Sequence, residues 1–343
     1  MQNNSFDLDA IIKNLKRSSF SEKIKEQDLK KVEKVSGDAS SRQYFRIRTK
    51  NKNYILCLDG SYEGPSNNNH FRKVQKVLKH NGIRVPELYK TNLDPNMILE
   101  QDLGDQTLRS LLAEKNNDQD EFQIYKSCLD ILMMIHQIDP QKYQGETFTN
   151  LFFDHIKLME EINFTIEHFL MGFLGVKLTQ RDIDILQKYF LQISHLLADG
   201  PFVLTHRDFH SKNIMCYERE LFVIDFQDIR MGLPHYDLVS ILEDCYYQVR
   251  RENVNKLKKY YFDNFIVANN LKGKGDFEKL YDYMTIQRTF KAIGSFSFVF
   301  MKKGDPRFLK YIGFGMEKIK EKLSRYPELE ILKKNLFKYY YGN

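Results

Sequence analysis

The sequence is poor in the features that mark secreted and membrane-spanning proteins. Its four cysteines are widely spaced and include no Cys-x-x-Cys pair, so we expect free thiols in a reducing compartment. They are Cys57, Cys128, Cys216 and Cys245. No apolar run approaches the roughly 20 residues that cross a bilayer, and the first residues lack the apolar core of a signal peptide. A cytoplasmic protein without a membrane partner is expected.

A strong excess of one charge is also absent. The 52 Lys and Arg residues against 46 Asp and Glu residues leave a dispersed net charge of +6, which does not indicate a nucleic-acid partner. A mildly positive surface would favour an anionic substrate. The chain has 343 residues and an ordinary globular composition, with 42% hydrophobic and 29% charged residues. Single cores stop growing near ~250–300 residues, so one large domain or two lobes are expected. The oligomeric state is left open.

A strand-rich segment precedes a helix-rich one. Alternating apolar residues predict short strands at 31–36, 43–49, 53–59, 85–91 and 96–104, with one helix at 70–82. Helical periodicity predicts helices at 119–138, 149–172, 180–198, 236–250, 253–269, 277–294 and 306–323. Only "FVLTH" and "ELFVIDF" interrupt these helices as strands. We predict an α+β fold with a helical extension at 1–31, a β lobe at 32–104 and a helical lobe at 105–343.

One short stretch carries a pattern typical of phosphoryl transfer. His206-Arg207-Asp208, followed after four residues by Asn213, matches the kinase catalytic-loop pattern HRDxxxxN. Such a reaction needs a carboxylate that accepts the hydroxyl proton, and oxygen ligands for Mg²⁺. Asp208 suits the first role, and Asn213 with Asp225, at the end of the strand "LFVID", suits the second. The alternative is a hairpin whose Asp and Asn only stabilise turns.

Three neighbours of this stretch have less specific interpretations. His206 is expected to be a packed support, with Asp237 at a helix start as its companion. His210 could orient the loop or touch the substrate. Asp228 is either a solvated turn residue or a second charge near the metal.

A glycine-containing turn lies far upstream of this stretch in the sequence. In "SGDASSRQYFRI", Gly37 and the small residues Ser40 and Ser41 can lay backbone N–H groups along a phosphate of ATP, and Arg42 can add charge. The alternative is a plain hairpin turn.

A second nucleotide-binding candidate lies where the strand-rich segment of the sequence ends. "MILEQDLG", with Glu100 and Asp102, is a strand followed by a polar bend, where a hinge would present backbone groups to an adenine. The alternative is an ordinary linker.

Together these sequence motifs resemble those of a known family. The chain is similar to the aminoglycoside phosphotransferase-type small-molecule kinases, and most resembles the bacterial N-acetylmuramate/N-acetylglucosamine kinases of cell-wall recycling. The words that carry the resemblance are "GDASSRQYFR", "LEQDLG", "HRDFHSKN", "DFQD", "YDLVSILEDCY" and "QRTFKAIGSF".

The resemblance implies a bilobal protein-kinase-like fold and an ATP- and Mg²⁺-dependent kinase. Its acceptor would be the anomeric hydroxyl of an amino sugar. It implies substrate contacts for His210, Asp244, Gln287, Arg288 and Lys291. The inward polar groups of the helix that carries the last three could instead form an internal network.

Several departures keep alternatives open. The strand "NYILCLD" has Cys57 or Leu58 where kinases carry a phosphate-binding Lys, and helix 70–81 contains no Glu to pair with it. We hypothesise that Arg42, Arg46 or Arg72 takes over the phosphate charge.

Further departures concern the loop and the acceptor. His210 replaces the basic residue common in protein-kinase loops, and no APE-like segment follows "DFQD", which argues against a protein kinase. Glu243 stands where the family tends to have a basic residue. The alternatives are a kinase of another alcohol (an aminoglycoside, choline, ethanolamine or homoserine) or an inactive, kinase-shaped binding module.

Overall fold

The computed structural model describes residues 29–35, 42–59, 69–89, 96–114, 117–271 and 277–342. Its described residues divide into two compact units. The first takes residues up to Gln106 together with Met215–Gln227, and the second takes Thr107–Ile214 and Asp228 onward. Residues 215–227 fall within the helical lobe expected at 105–343, but they belong to the first unit because their contacts are with residues distant in sequence. The predicted extension at 1–31 lies almost wholly outside the described residues.

The first unit is built on a five-stranded antiparallel sheet in the order β1-β2-β3-β5-β4. The strands are β1 (Leu29–Val35), β2 (Gln43–Thr49), β3 (Asn53–Leu58), β4 (Leu88–Tyr89) and β5 (Met97–Gln101). One face of the sheet is an apolar core that includes Phe45, Leu56 and Leu99. Because side chains alternate along a strand, Arg46, Cys57 and Glu100 share the opposite face.

Helix α1 (His70–His80) follows β3, close to its predicted span. The side chain of Asn69 caps it by accepting the backbone N–H of Arg72. Gly82 follows with φ 79°, which is the left-handed conformation that suits a helix stop. The buried residues of α1 include Phe71, whose ring stacks 4.7 Å from that of Phe226 in the returning segment.

The second unit is mostly helical. Its helices are α2 (Leu108–Glu114), α3 (Asp118–His136), α4 (His155–Thr165), α5 (Gln180–Leu197), α6 (His235–Leu242), α7 (Arg251–Tyr261), α8 (Phe277–Lys303), α9 (Lys310–Leu323) and α10 (Glu330–Tyr341). Helices α4 and α7 continue as π-helical turns, Ile166–Phe173 and Phe262–Val267. Strands β6 (Val203–Thr205) and β9 (Arg230–Gly232) also belong to this unit, whereas β7 (Ile214–Tyr217) and β8 (Glu220–Val223) lie almost wholly in the returning segment of the first unit. The α+β fold class predicted from the sequence is confirmed.

Helix α8 is the central packing element of this unit, because sixteen of its 27 residues are buried. A close approach to α4 requires a glycine at position 294, since a Cβ there would lie 2.3 Å from Oγ1 of Thr165. That hydroxyl donates to the carbonyls of Glu161 and Phe290, so the two helices share a polar contact. This contact fixes the position of α8 against α4, and with it the positions of the polar residues that α8 carries before Gly294.

All four cysteines are free thiols, as predicted. Within the described ranges, no helix combines the length and the apolar character needed to cross a membrane.

Candidate functional site

The residues of the predicted catalytic loop follow β6 in the second unit and are held by a buried carboxylate. Asp237, in the first turn of α6, is fully buried and accepts the backbone N–H groups of His206 (2.5 Å) and Arg207 (2.9 Å). Arg207 has φ 81°, an uncommon conformation for a residue with a side chain. Asp237 therefore supports the backbone of the turn that presents Asp208, whereas the ring of His206 packs edge-on against Phe209.

Behind Asp237 lies a second buried group that the sequence did not point to. Nε2 of His136, on α3, lies 3.3 Å from Oδ2 of Asp237, and its Nδ1 lies 2.5 Å from the hydroxyl of Tyr261 on α7. A lone histidine in the apolar stretch "LDILMMIH" was the available signal. The chain of contacts ties α3, α6 and α7 to the catalytic turn.

Two cations from α8 flank Asp208. Nζ of Lys291 lies 3.3 Å from Oδ1 of Asp208, and Nη1 of Arg288 lies 3.8 Å from the same atom. Burial by itself would raise the pKa of Asp208, but Lys291, Arg207 and Arg288 outweigh burial and hold the pKa well below its usual range. Asp208 is therefore a carboxylate at neutral pH, as a proton acceptor must be.

The two predicted metal ligands belong to different units. Nδ2 of Asn213 donates to the carbonyl of Asp208 (3.0 Å), which fixes the plane of its amide in the second unit. Asp225, in the returning segment of the first unit, has φ 61° and accepts a hydrogen bond from Nε2 of Gln227 (2.9 Å). An amide oxygen and a carboxylate are the hard oxygen donors that Mg²⁺ prefers. The described residues hold no group of three or more His, Cys, Asp or Glu arranged for a metal. A Mg²⁺ ion bound largely by phosphates would not need such a group, because one or two protein ligands are enough.

A pocket in the second unit opens beside Asp208. It is lined by Asp208, His210, Val239, Ser240, Glu243, Asp244, Cys245, Tyr246, Arg288, Thr289, Lys291, Ala292, Ser295 and Phe296. Four of the five residues predicted to contact substrate are in this set. Gln287 is not, because its Nε2 donates to the carbonyl of Leu158 on α4 (2.9 Å). Tyr246, which sequence reasoning did not single out, packs edge-on against His210.

Both acids at the end of α6 already have partners within the protein. Glu243 lies 3.0 Å from Nζ of Lys318 and 3.4 Å from Nζ of Lys322, both on α9, and it accepts the hydroxyl of Tyr281. Burial would raise its pKa, yet the lysines lower it, so Glu243 is ionised. The change from the basic residue typical of the resembling family is thus matched by two lysines on a neighbouring helix.

Asp244 is satisfied by the loop that follows the catalytic turn. Its Oδ2 accepts the N–H and hydroxyl of Ser211 (2.9 and 2.5 Å), and its Oδ1 accepts the N–H of Tyr246 (2.7 Å). The carboxylate is 3% exposed, so it braces the loop from beneath.

In the first unit, the predicted nucleotide-binding residues form ion pairs around β5. Nε of Arg46 lies 2.8 Å from Asp102, and its Nη2 lies 2.8 Å from Asp105. Asp102 also accepts the N–H of Gly104, which closes the bend after β5. Arg42 pairs with Asp59 at 3.0 Å.

Glu100 is buried on the same strand, and burial raises its pKa to about 8 although Arg42 and Arg72 oppose the shift. It is therefore largely protonated at neutral pH. Arg72 donates to the carbonyl of Met97 (3.1 Å). The predicted contacts of Gly37, Ser40 and Ser41 lie outside the described residues.

Comparison with known proteins adds independent information. Residues 31–266 match the family described as "Phosphotransferase enzyme family" (APH). Among curated proteins, the chain is 25% identical to the N-acetylmuramate/N-acetylglucosamine kinase of Neisseria meningitidis serogroup B, over 81% of this chain and 83% of that protein. It is 26% identical to the protein of the same name from Pseudomonas aeruginosa, over 86% of this chain and 84% of that protein.

Solved structures show the same fold at lower identity. The gentamicin complex of the aminoglycoside phosphotransferase APH(2")-IIa superposes with a TM-score of 0.60 at 14% identity, over 93% of this chain and 97% of that one. The choline kinase LicA from Streptococcus pneumoniae gives 0.56 at 13% identity, over 85% and 94%. The kinase-like fold that the resemblance implied is thereby confirmed.

Proposed function

Because the chain belongs to the APH phosphotransferase enzyme family, we propose that this small-molecule kinase transfers the γ-phosphoryl group of ATP to the anomeric hydroxyl of an amino sugar. N-acetylmuramate and N-acetylglucosamine are the acceptors that the names of its curated relatives suggest. A cytoplasmic location belongs to the same proposal.

The observation that carries the choice of acceptor is the charge of the pocket beside Asp208. A polycationic aminoglycoside or a choline would call for acids that are open to the ligand. Here Glu243 is matched by two lysines and Asp244 by three loop donors, while Arg288 and Lys291 line the same pocket. A neutral or anionic hydroxylated acceptor fits this pattern better.

The chemistry would rest on positioning and charge. Asp208 would orient the acceptor hydroxyl and take its proton as the oxygen–phosphorus bond forms. Asn213 and Asp225 would hold Mg²⁺, which neutralises phosphate charge when bound. Arg46 is held by two carboxylates, Asp102 and Asp105, whereas Arg42 is paired with Asp59 and Arg72 donates to the carbonyl of Met97. We assign the remaining phosphate charge to Arg42 and Arg72.

ADP release tests the proposal directly. Turnover with N-acetylmuramate or N-acetylglucosamine, and little with gentamicin, choline, ethanolamine or homoserine, is expected. The reverse preference would remove the amino-sugar assignment, and no turnover with any alcohol despite ATP binding would favour an inactive module.

The arginine assignment has its own measurement. Replacing Arg42 and Arg72 together by Gln should raise KM for ATP at least about tenfold, since each charged contact contributes roughly 1.5–3 kcal/mol. Arg48→Gln, at the exposed pair with Glu33, is the matched control. An unchanged KM for ATP in the double variant would remove both arginines from the phosphate site.

A further inference from the structure

The carboxylate of Asp208 is approached unevenly. Lys291 and Arg288 both lie against Oδ1. Within the described part of the chain, no side chain donates a hydrogen bond to Oδ2. The cations therefore fix one oxygen of the carboxylate, and the other is the oxygen that would receive the proton of an acceptor.

The two cations differ in how far their side chains are held by neighbouring residues. Arg288 is 9% exposed, and its guanidinium stacks 4.7 Å above the ring of Tyr236, so it is held from both sides. Lys291 lies three residues further along α8 and lines the pocket, and among the described residues its ammonium makes one hydrogen bond, to Asp208. An ammonium has three N–H donors, so Lys291 can bind Asp208 and a second anionic group at once.

The catalytic loop itself does not supply such a cation. Nη1 of Arg207 pairs with Asp228 at 2.8 Å. His210 takes the position of the basic residue of protein-kinase loops and packs on Tyr246. The ammonium of Lys212 lies over the rings of Tyr246 and Phe308. Among the described ion pairs, the cations within 4 Å of Asp208 both come from α8.

We propose that Lys291 is a catalytic residue that donates a hydrogen bond to the transferring phosphoryl group, and that α8 thereby supplies the phosphate-binding cation in place of the loop, whose Arg207 and Lys212 contact other side chains. The role rests on the proposed kinase function but not on the identity of the acceptor. During transfer the acceptor oxygen bonds to the γ-phosphorus and the bond to the ADP oxygen breaks. The hydroxyl proton passes to Oδ2 of Asp208 and then to water. Lys291 keeps its proton throughout and binds an equatorial phosphoryl oxygen, where a preorganised donor is most effective.

Steady-state kinetics separate this role from simple acceptor binding. Lys291→Met should lower kcat about 100-fold or more, as loss of one transition-state donor does, with KM for the acceptor changed less than about threefold. Lys291→Arg should restore part of kcat. Lys302→Met, at the exposed end of the same helix, is the control and should leave both constants unchanged. A raised acceptor KM with unchanged kcat, or no effect on either, would overturn the proposal.

A binding measurement does not depend on turnover or on the acceptor. Magnesium–ADP with aluminium fluoride mimics the planar phosphoryl group, and wild type should bind it more tightly than magnesium–ADP alone. Lys291→Met should lose most of this gain while binding magnesium–ADP normally. If no amino sugar is phosphorylated, the proposed acceptor is wrong, yet this comparison still decides the role of Lys291. A gain retained in Lys291→Met, or no gain in folded wild type, refutes it.

Discussion

Removal of the Asp237 carboxylate should both destabilise the second unit and disorder the catalytic turn. This fully buried group accepts two backbone N–H groups, from His206 and Arg207, and faces Nε2 of His136. In Asp237→Ala these donors would remain buried without an acceptor. Solvent water would not replace the lost acceptor, because His206 and His136 are at most 4% exposed.

The magnitude follows from the number of bonds lost. Hydrogen bonds to a charged acceptor contribute about 1.5–3 kcal/mol each, so the two backbone bonds alone imply a loss of about 3–6 kcal/mol. Domains are stable by only about 5–15 kcal/mol. Asp237→Ala should therefore remove a large share of the free energy of unfolding. Asp237→Asn keeps one acceptor oxygen and should lose about half as much.

Guanidinium unfolding followed by circular dichroism measures the stability, and turnover of the folded Asp237→Asn protein measures the turn. We expect kcat to fall while KM for ATP changes little, because the nucleotide-binding candidates lie in the other unit. Asp184→Asn, an exposed acid on α5, is the control and should stay within about 0.5 kcal/mol of wild type. A loss below about 1 kcal/mol in Asp237→Ala would show that the two bonds do not hold the turn.

Four other substitutions have defined outcomes. Gly294→Ala should destabilise by about 1–3 kcal/mol, because the new methyl would clash with Oγ1 of Thr165. Gly313→Ala on α9, where a Cβ would meet only the hydroxyl of Tyr340 at 3.5 Å, is the control, and an equal loss there would contradict the packing argument. Burial raises the pKa of Glu100 to about 8, above its value in the unfolded chain. Its contribution to the free energy of unfolding is therefore largest below about pH 4.5 and falls as the pH rises to 8. Glu100→Gln should flatten the stability profile in that window by up to about 1.4 kcal/mol per pH unit, and an unchanged profile would show that Glu100 ionises without cost. Asp208→Asn should abolish turnover yet bind ATP, whereas Asp225→Ala should also weaken Mg·ATP binding in calorimetry; wild-type turnover in either variant would refute its assigned role.

The secondary structure could be predicted where local patterns dominate. The strands at 43–49 and 53–58 and helix α1 follow the alternation and capping signals closely. The predicted helix at 236–250 is wrong beyond Leu242, since the acids that follow turn toward α9 and the catalytic loop. The π-helical turns and the length of α8 were also missed, because tertiary packing sets them.

The candidate site was predictable in its residue types but not in its contacts. The spacing of Asp208 and Asn213 is local, so a motif reveals it. The cations that face Asp208 come from α8, and the acid that holds the backbone of His206 and Arg207 comes from α6. Both helices are tens of residues away, so sequence spacing does not reveal these contacts. Asp237 was expected beside His206, yet it binds the backbone of the turn, which no side-chain pattern can show.

Backbone strain and buried charge occur together in this site. Arg207 adopts a left-handed conformation that costs an ordinary residue about 1–2 kcal/mol. For Arg207, the bonds to Asp237 outweigh this cost, so the turn stays in a conformation that local preference would reject. A buried carboxylate without partners would itself be unstable, and those same N–H groups stabilise it. The strained turn and the buried acid therefore each require the other, which is why a substitution of either should affect stability and turnover together.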